Sequence, residues 1–390
     1  MMRMKYKLKD IFDLQMGKTP PRNNSEYWNT EDHKWISIAD LTRTGKYISE
    51  TKEYLSENAI QKSGIKVIPA NTVVMSFKLS IGKTAITAED MYSNEAIMAF
   101  LDKHVVEVLP EYILYMFKFK NWDEGSNEAV MGKTLNKAIL SEIEIDICPI
   151  EEQRVIVDVL DKMMLALENR ENELFLLDDL IKARFVEMFG DVITGNYHYE
   201  TKKLGDVANI GSSHRVFTTE FVEYGIPFYR GTEIGELANG IKPTETYYIS
   251  EEHYNRLTDE ETKPQIGDLL MPSICNKGQV WMVDTEEPFY YKDGRVLWIS
   301  PDREIFNTKY LEYYMRAKTL VEYPKLGSGS TFAEFKIFLL KDIEVLIPPR
   351  ELQNQFADFV HQVDKSKVAV QKALDETQLL FDSLMQKYFG

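Results

Sequence analysis

The two halves of this chain carry the same series of sequence blocks in the same order. "YKLKDIFDL" at 6–14 corresponds to "KKLGDVANI" at 202–210, and "ANTVVMSF" at 70–77 corresponds to "IGDLLMPS" at 266–273. Both pairs are offset by 196 residues, whereas "LSEIEIDICPIEEQ" at 140–153 and "LKDIEVLIPPRELQ" at 340–353 are offset by 200. Solenoid repeats have periods of only about 20–50 residues. A repeat this long therefore predicts a duplicated domain with small insertions.

Each copy begins with a segment of mixed character. Short β-type runs such as "TVVMSF" and "VLWIS" are separated by Gly, Pro and Asn turns. Helix-like stretches follow at Glu111–Lys120 and Thr308–Tyr323, and a last strand, "EIEIDI" or "DIEVLI", leads into proline. We expect an α+β fold with two pseudo-symmetric domains of mixed α/β character, at residues 1–148 and 191–348.

Residues 149–190 and 349–390 are predicted to form two long helices that separate these domains. Each segment opens with proline and closes with glycine, which is the usual punctuation of a helix. A helix of this length spans about 60 Å, and its single apolar stripe needs a partner. We expect the helices to pair with each other as an antiparallel coiled coil; docking of both helices on other proteins is the alternative.

Apolar residues recur in both helices at the three- and four-residue spacing of a coiled-coil seam. The predicted seam consists of Ile156, Val159, Met163, Leu174, Leu177 and Ile181 in the first helix, and of Phe356, Phe359, Val363, Val370, Leu374 and Phe381 in the second.

Charge and composition limit the classes of function. A net charge of −16 argues against a protein that grips nucleic acid by itself through a basic exterior, but less against one subunit of a complex. Residues 149–190 hold ten acidic and five basic side chains, which indicates a solvated face or a docking surface for a basic partner. Two cysteines allow no disulfide framework, and neither a signal peptide nor a membrane-length apolar run is evident, so we expect a cytoplasmic protein.

The triplet Gly-Lys-Thr occurs at 17–19, 82–84 and 132–134, which raises the question of a phosphate site. A nucleotide-binding loop requires an earlier glycine, and Phe12, Phe77 and Asn127 occupy the required positions. The six histidines are scattered without metal-ligand spacing, so no metal site is expected. Asp302 with Glu334 and Lys336 forms a loose nuclease-like set that the first half lacks. We expect no catalytic residues in this chain.

Several motifs resemble one known family. The opening "KLKDIFDLQMGKTPPRNNSEYWNTEDHKWISIADL" resembles the start of a target-recognition domain in the specificity subunit of type I restriction-modification enzymes. "MSFKLSIGKTAI" resembles a strand and loop of that family, and "EIDICPIEEQRVIVDVLD" and "DIEVLIPPRELQNQFADFV" resemble its junctions between recognition domain and conserved helix. The resemblance covers essentially the whole chain, and its strength lies in the order and duplication of moderately specific motifs.

The resemblance implies a non-catalytic subunit that binds double-stranded DNA. Each recognition domain would contact one half of a bipartite target, and the paired helices would set the spacer between the half-sites. The helices would also dock two adenine methyltransferase subunits and, through them, the restriction subunits. S-adenosylmethionine, ATP and Mg²⁺ would then belong to those partners, with no cofactor in this chain.

Loop residues that can bind phosphate or base edges are the candidate DNA contacts. In the first half they are Lys18, Thr19, Arg22, Asn23, Lys34, Lys78, Ser80, Lys83 and Lys133. In the second half they are His214, Arg215, Tyr229, Arg230, Asn276, Lys277, Gln279, Ser328 and Ser330. Tyr229, Trp28 and Trp35 are expected to serve as core or platform residues more than as base contacts.

Three alternatives remain open from the sequence. The first is the specificity chain of a type II-like enzyme whose partner fuses methyltransferase and nuclease. The second is a coiled-coil scaffold whose globular heads bind protein, and the third is a stand-alone nuclease. The long paired helices favour the type I arrangement over the first.

Overall fold

A computed structural model describes residues 3–78, 80–122, 135–197, 199–258, 263–326 and 333–390. The chain forms two compact units: residues 1–171 with 372–390, and residues 172–371. Each unit therefore takes segments from both halves of the sequence. Within the described ranges, no helix is long and apolar enough to cross a membrane.

The first unit contains mainly short strands, as its turn-rich sequence predicts. The strands are β1 (Met4–Lys7), β2 (Phe12–Met16), β3 (His33–Ile36), β4 (Tyr47–Ile48), β5 (Glu53–Leu55), β6 (Val73–Ser76), β7 (Thr84–Thr87), β8 (Tyr92–Ser93), β9 (Ile97–Asp102) and β10 (Glu144–Ile147). The helices are α1 (Leu8–Ile11), α2 (Ile38–Arg43), α3 (Glu57–Ser63), α4 (Pro110–Phe119), α5 (Lys137–Glu142) and the start of α6 (Ile150–Phe189).

The sheets of the first unit have a clear order. One sheet runs β2-β9-β6-β7-β4, with β9 antiparallel to both β2 and β6, and another runs β5-β3-β8. β1 pairs antiparallel with β10, which joins the start of the domain to the strand before α6. The apolar faces of β2, β6 and β9 pack with α4 in the largest core of this unit.

The second unit repeats this order of elements. Its strands are β11 (Thr201–Lys203), β12 (Ala208–Gly211), β13 (Phe221–Val222), β14 (Ile226–Tyr229), β15 (Tyr247–Ile249), β16 (Leu269–Pro272), β17 (Trp281–Met282), β18 (Tyr290–Tyr291), β19 (Val296–Pro301) and β20 (Glu344–Leu346). Its helices are α7 (Leu204–Val207), α8 (Gly231–Ala238), α9 (Glu251–Leu257), α10 (Thr308–Glu322), α11 (Ile337–Lys341) and the start of α12 (Arg350–Phe389).

The duplication is visible in backbone detail. The sheet β12-β19-β16-β17 corresponds to β2-β9-β6-β7, and β11 pairs with β20 as β1 pairs with β10. Gly82 and Gly278, equivalent in the sequence repeat, have φ angles of 88° and 68°, a conformation that favours glycine. The predicted α+β fold with two similar domains is confirmed.

The two long helices, α6 and α12, each have 40 residues and pack antiparallel. In the first unit, Ile156 and Leu160 near the start of α6 share a core with Met385 near the end of α12. In the second unit, Phe185 near the end of α6 shares a core with Phe356 near the start of α12. The predicted antiparallel coiled coil is therefore confirmed within each unit.

The predicted seam residues differ in how deeply they are buried. Ile156, Ile181, Phe356, Val363 and Val370 are buried, whereas the remaining seven are partly buried: Val159, Met163, Leu174, Leu177, Phe359, Leu374 and Phe381. Two residues that periodicity alone did not select, Leu160 and Val360, are fully buried at equivalent positions.

Candidate nucleic-acid interface

The strand order of the first unit brings three loops to one edge of its large sheet. Met16, the last residue of β2, pairs with Met98 of β9, and Ser76, the last residue of β6, pairs with Ile97. The described parts of the loops at 17–24, 77–83 (without residue 79) and 94–96 consequently leave the sheet side by side. We call this region the first loop edge; it carries most of the candidate contacts of the first half.

Glu95 is the acidic centre of the first loop edge. The hydroxyl of Thr19 donates a hydrogen bond to the Glu95 carboxylate, which lowers the pKa of that carboxyl, and the nearby charges of Lys78 and Arg22 lower it further. The carboxylate thus remains ionised among cations. Lys18 lies on the same edge and donates from its ammonium group to the carbonyl of Ser63.

Arg22 is held on three sides. Its guanidinium carbon lies 3.9 Å from the ring centroid of Trp28 and 4.7 Å from that of Trp35, and its nitrogens pair with both carboxylate oxygens of Glu53. Trp28 and Trp35 pack edge to face at 5.0 Å, so they form the expected aromatic platform. Arginine side chains fixed in this way lose less freedom on binding DNA.

The other candidates of the first unit have varied surroundings. Lys34 lies in β3, in the second sheet, where its ammonium donates to the carbonyl of Ser49 at 2.6 Å and to Glu89; the bond to Glu89 raises the pKa of Lys34. Lys83 donates to the hydroxyl of Thr42 at 2.6 Å. Asn23 and Ser80 are exposed on the first loop edge, and Lys133 lies outside the described residues.

The second unit has an equivalent edge, which we call the second loop edge. Gly211 at the end of β12 pairs with Trp298 of β19, and Pro272 at the end of β16 pairs with Val296. The loops at 212–217, 273–280 and 292–295 therefore meet as their counterparts do in the first unit. His214, Arg215, Asn276, Lys277 and Gln279 all lie in these loops, while Ser328 and Ser330 fall outside the described residues.

The second loop edge exposes several of these candidates. Asn276 and Lys277 are exposed, and the guanidinium of Arg215 lies 5.0 Å above the ring of Phe217. The backbone N–H of His214 donates to the hydroxyl of Tyr290 at 2.9 Å, which anchors its loop. Gln279 is only partly exposed, and its side-chain oxygen is buried.

Tyr229 and Arg230 have local structural partners. The ring of Tyr229 stacks on Phe289 with centroids 5.4 Å apart, and burial raises the pKa of its hydroxyl. Arg230 precedes α8, and its Nε lies 3.1 and 3.2 Å from the two carboxylate oxygens of Glu233. The carboxylate of Glu233 is buried and also accepts the backbone N–H of Arg230 at 2.8 Å. Both residues therefore support the fold beside the second loop edge.

Two residues of the loop edges were missed in the sequence, Glu95 and Arg295. Glu334 and Lys336, noted in the sequence only beside Asp302, lie next to the second loop edge. One oxygen of Glu334 lies 3.0 Å from Nη1 of Arg295 and 3.2 Å from Nζ of Lys336. Glu95 and Arg295 lack a motif of their own, and only the strand register places them at the edges. Glu334 belonged to the nuclease-like set, but its carboxylate is occupied by two cations, and Asp302 accepts the backbone N–H of Glu304.

The described part of the chain offers no grouping of three or more His, Cys, Asp or Glu side chains suited to a metal ion. The candidates that converge are instead cationic, amide and hydroxyl side chains with accompanying carboxylates. Such groups suit phosphate oxygens and base edges. The two loop edges are thus candidate DNA-binding surfaces on similar scaffolds with different side chains.

Comparison with known proteins identifies the class. The family model described as the type I restriction modification DNA specificity domain matches residues 3–174 and again residues 196–377. The chain therefore belongs to the family of type I restriction-modification DNA specificity proteins, which recognise DNA sequence. The two matches also confirm the internal repeat.

Two specificity subunits illustrate this similarity, one over nearly the full length and one over part of it. The chain is 24% identical to the type I restriction enzyme MjaIX specificity subunit of Methanocaldococcus jannaschii, covering 98% of this chain and 91% of the relative. It is 27% identical to the EcoR124I/EcoR124II specificity subunit of Escherichia coli, over 37% of each chain.

Solved structures show the same fold. The S subunit of the type I restriction-modification system from M. genitalium matches with a TM-score of 0.54 at 16% identity, over 100% of this chain and 96% of that chain. A second chain, from a structure concerned with complex assembly and conformational transition of the type I system, matches with a TM-score of 0.62 at 18% identity, over 99% of this chain and 97% of that one.

Proposed function

We propose that this specificity subunit recognises a bipartite DNA target, with each unit contacting one half-site through its loop edge. The observation that carries the proposal is the duplicated sheet edge. Equivalent strands deliver equivalent loops in both units, yet the loops present different side chains. A shared scaffold with different contacts is what two different half-sites require.

The long helices are proposed to set the unread spacer between the half-sites. α6 and α12 each contribute to both units, and their antiparallel packing is maintained by buried apolar side chains in each. Helices packed in this way can serve as a rigid ruler, because helical rise fixes length.

The same helices are proposed to dock two adenine methyltransferase subunits and, through them, the restriction subunits. Large apolar side chains are exposed on the helices of both units. In the first they are Val155, Leu165, Leu379 and Leu380; in the second they are Phe175, Leu176, Leu180, Val186 and Val368. Exposed apolar groups at this density indicate interaction surfaces. S-adenosylmethionine, ATP and Mg²⁺ would be bound by these partners, and this chain would be non-catalytic.

A methylation map tests the proposal. The chain would be expressed with its cognate adenine methyltransferase in cells without other DNA methylation, and modified bases would be located by sequencing. We expect methyl-adenine only within one split motif. Replacing residues 1–148 or 191–348 by the corresponding domain of another family member should change one half of the motif. Co-purification of the two proteins without any motif would refute DNA recognition by this chain.

A further inference from the structure

One position on the loop edges has the same backbone hydrogen bond in both units but a very different side chain. In the first unit the carbonyl of Ala96 accepts the N–H of Phe77 at 2.9 Å, and in the second the carbonyl of Arg295 accepts the N–H of Ser273 at 2.8 Å. Ala96 immediately precedes β9 and Arg295 immediately precedes β19, while the donors immediately follow the neighbouring strands β6 and β16. Ala96 and Arg295 are therefore equivalent in the scaffold, and only the second unit carries a long cationic side chain there.

Arg295 is exposed but oriented. Its side chain is 54% exposed, and its Nη1 donates to an oxygen of Glu334 at 3.0 Å. The side chain of Glu334 is only 21% exposed; its Oε2 lies 3.4 Å from the hydroxyl of Ser273 and 3.2 Å from the ammonium of Lys336. Phe335 donates its N–H to the carbonyl of Ser273 at 2.7 Å, so the segment carrying Glu334 is fixed to the loop edge.

This arrangement leaves donors of Arg295 available. A guanidinium has five N–H groups, and the contact with Glu334 engages one nitrogen, Nη1. Nε and Nη2 can still form the two parallel hydrogen bonds of a fork. Partial burial opposes ionisation of Glu334, but Lys336 and Arg295 outweigh it and hold the pKa of Glu334 below its usual value. The orienting carboxylate is therefore charged at neutral pH.

The carboxylate also discriminates between DNA ligands. A phosphate placed against Arg295 would meet the negative charge of Glu334 about 3 Å from the same guanidinium, which is unfavourable. The major-groove edge of guanine is uncharged and presents two acceptors, O6 and N7, which match the arginine fork. Lys336 lies 3.2 Å from the same carboxylate oxygen, but its side chain is 52% exposed, and its flexible ammonium can turn away from Glu334 towards a phosphate beside that base, whereas the planar fork of Arg295 stays next to the carboxylate.

We propose that Arg295, oriented by Glu334, contacts a guanine in the half-site bound by the second unit, with Lys336 on a neighbouring phosphate. The inference rests on the proposed bipartite recognition and deepens it. Ala96, at the equivalent position of the first unit, has no side-chain donor with which to make this contact. Glu334 acts here as a positioning residue, since it fixes the guanidinium without touching the base.

The test compares methylation motifs of the complete methyltransferase complex with wild-type chain and with Arg295→Ala, Arg295→Lys, Glu334→Gln or Lys336→Ala. Arg295→Ala should relax one guanine position in one half-site and leave every other position unchanged. Discrimination at that base pair should fall by about 5- to 150-fold. In Arg295→Lys, discrimination at that base pair should fall by a similar factor, because a lysine cannot form the two parallel hydrogen bonds of the arginine fork. Glu334→Gln should weaken discrimination at the same position only.

Lys336→Ala is the matched control, since its side chain is 52% exposed and pairs with the same carboxylate as Arg295. It should keep the motif, weaken binding to all sequences alike and reduce the salt dependence of binding. A wild-type split motif that both Arg295 variants preserve would refute the guanine contact alone. If Arg295→Lys instead lost affinity for all sequences alike, as Lys336→Ala should, Arg295 would contact a phosphate, and the guanine contact would again be refuted. A wild-type complex without any split motif would refute the proposed function as well.

Discussion

Three arginines near the loop edges differ in how deeply their carboxylate partners are buried, and this difference indicates whether each arginine has a structural or a binding role. Arg22 lies on an aromatic platform and pairs with Glu53, whose side chain is 36% exposed. Arg295 and Lys336 both pair with Glu334, and this contact uses only one nitrogen of the Arg295 guanidinium. Arg230 instead directs its guanidinium onto Glu233, whose side chain is only 1% exposed. Burial of the partner carboxylate is what makes Arg230 important for the fold.

Arg230→Ala is expected to destabilise the second unit by about 2 kcal/mol, because it strands the buried carboxylate of Glu233. The loss of stability should be smaller than for breaking a fully buried ion pair, since the side chain of Arg230 remains partly hydrated. The double variant Arg230→Ala/Glu233→Gln should recover part of the stability. Urea unfolding of the three proteins at pH 7 measures both effects. Unchanged stability with a relaxed DNA motif would instead make Arg230 a base contact.

The same pair predicts a pH dependence. Burial opposes ionisation of Glu233, but hydrogen bonds from Arg230 and from the backbone lower its pKa overall. A lowered pKa stabilises the fold above the unfolded value of about 4.3 and ceases to do so as pH falls through the folded value. The stability difference between wild type and Arg230→Ala should therefore shrink as the pH is lowered from 7 towards and below 4. A difference independent of pH would contradict this account.

At the scale of elements, two equivalent glutamines join the long helices to the domains. Nε2 of Gln153 donates to the carbonyls of Glu107 and Cys148 at 3.0 and 2.8 Å, and its Oε1 accepts the N–H of Leu109 at 2.9 Å. Gln353 makes the same three contacts with Ile305, Pro348 and Asn307, at 3.1, 2.9 and 2.8 Å. Both glutamines are fully buried. Each side chain thus satisfies three backbone groups at a junction.

Gln153→Ala or Gln353→Ala should cost about 3 kcal/mol each, because three buried backbone groups lose their partner. Gln355→Ala is the matched control: Gln355 is exposed two residues further along the same helix, and its loss should change stability by less than about 0.5 kcal/mol. Urea denaturation measures the difference. Equal stabilities for Gln353→Ala and Gln355→Ala would show that water replaces the amide without penalty.

Two phenylalanines of α6 are expected to have different roles: Phe185 packs in the core, and Phe175 belongs to the proposed docking surface for the methyltransferase subunit. Phe185 is buried, with Phe356 at a centroid distance of 5.3 Å, whereas Phe175 is 59% exposed. Phe185→Ala should destabilise the chain by about 3–5 kcal/mol. Phe175→Ala should leave thermal stability nearly unchanged and weaken binding of the methyltransferase subunit, measured by calorimetry. Normal methyltransferase affinity in Phe175→Ala would remove this residue from the docking surface.

The elements were largely predictable, whereas the detailed contacts were not. Proline, glycine and apolar periodicity predicted both long helices, because these features act locally along the chain. The same periodicity predicts the partly buried Val159 and omits the fully buried Leu160, because three- and four-residue steps from Ile156 fit both positions. Arg230 pairs locally with Glu233, three residues further on, whereas the partner of Arg295, Glu334, depends on which segments the tertiary fold brings together. Loop residues were therefore chosen by type, and their partners became visible only in the structure.

At the scale of the whole molecule, the long helices tie the two halves of the sequence together. The first unit takes Met385 and Phe381 from the end of α12, and the second takes Phe185 from the end of α6. Removal of α12 would consequently expose apolar surface in both units. The duplication thus gives two similar domains that each complete their core with a distant part of the chain.

The proposed role of the helices as a ruler leads to the last prediction. Insertion of a heptad in both helices, after Glu171 and after Gln371, adds two turns at the boundary between the units and about 10 Å of helix. A heptad preserves the apolar stripe, so pairing should survive. Both half-sites should be retained, with a spacer longer by about three base pairs. Methylation should also fall, because three base pairs turn the half-sites by nearly a third of a helical turn.

A heptad inserted in only one helix is the control, since it shifts one stripe against the other and should abolish stable folding. The measurement is again the methylation map, which reports half-sites and spacer in one experiment. A well-folded double-insertion protein that methylates the original motif would show that the spacer is set elsewhere. An altered half-site would show that the insertion disturbs the loop edges themselves. A longer spacer between unchanged half-sites is the result that only a helical ruler explains.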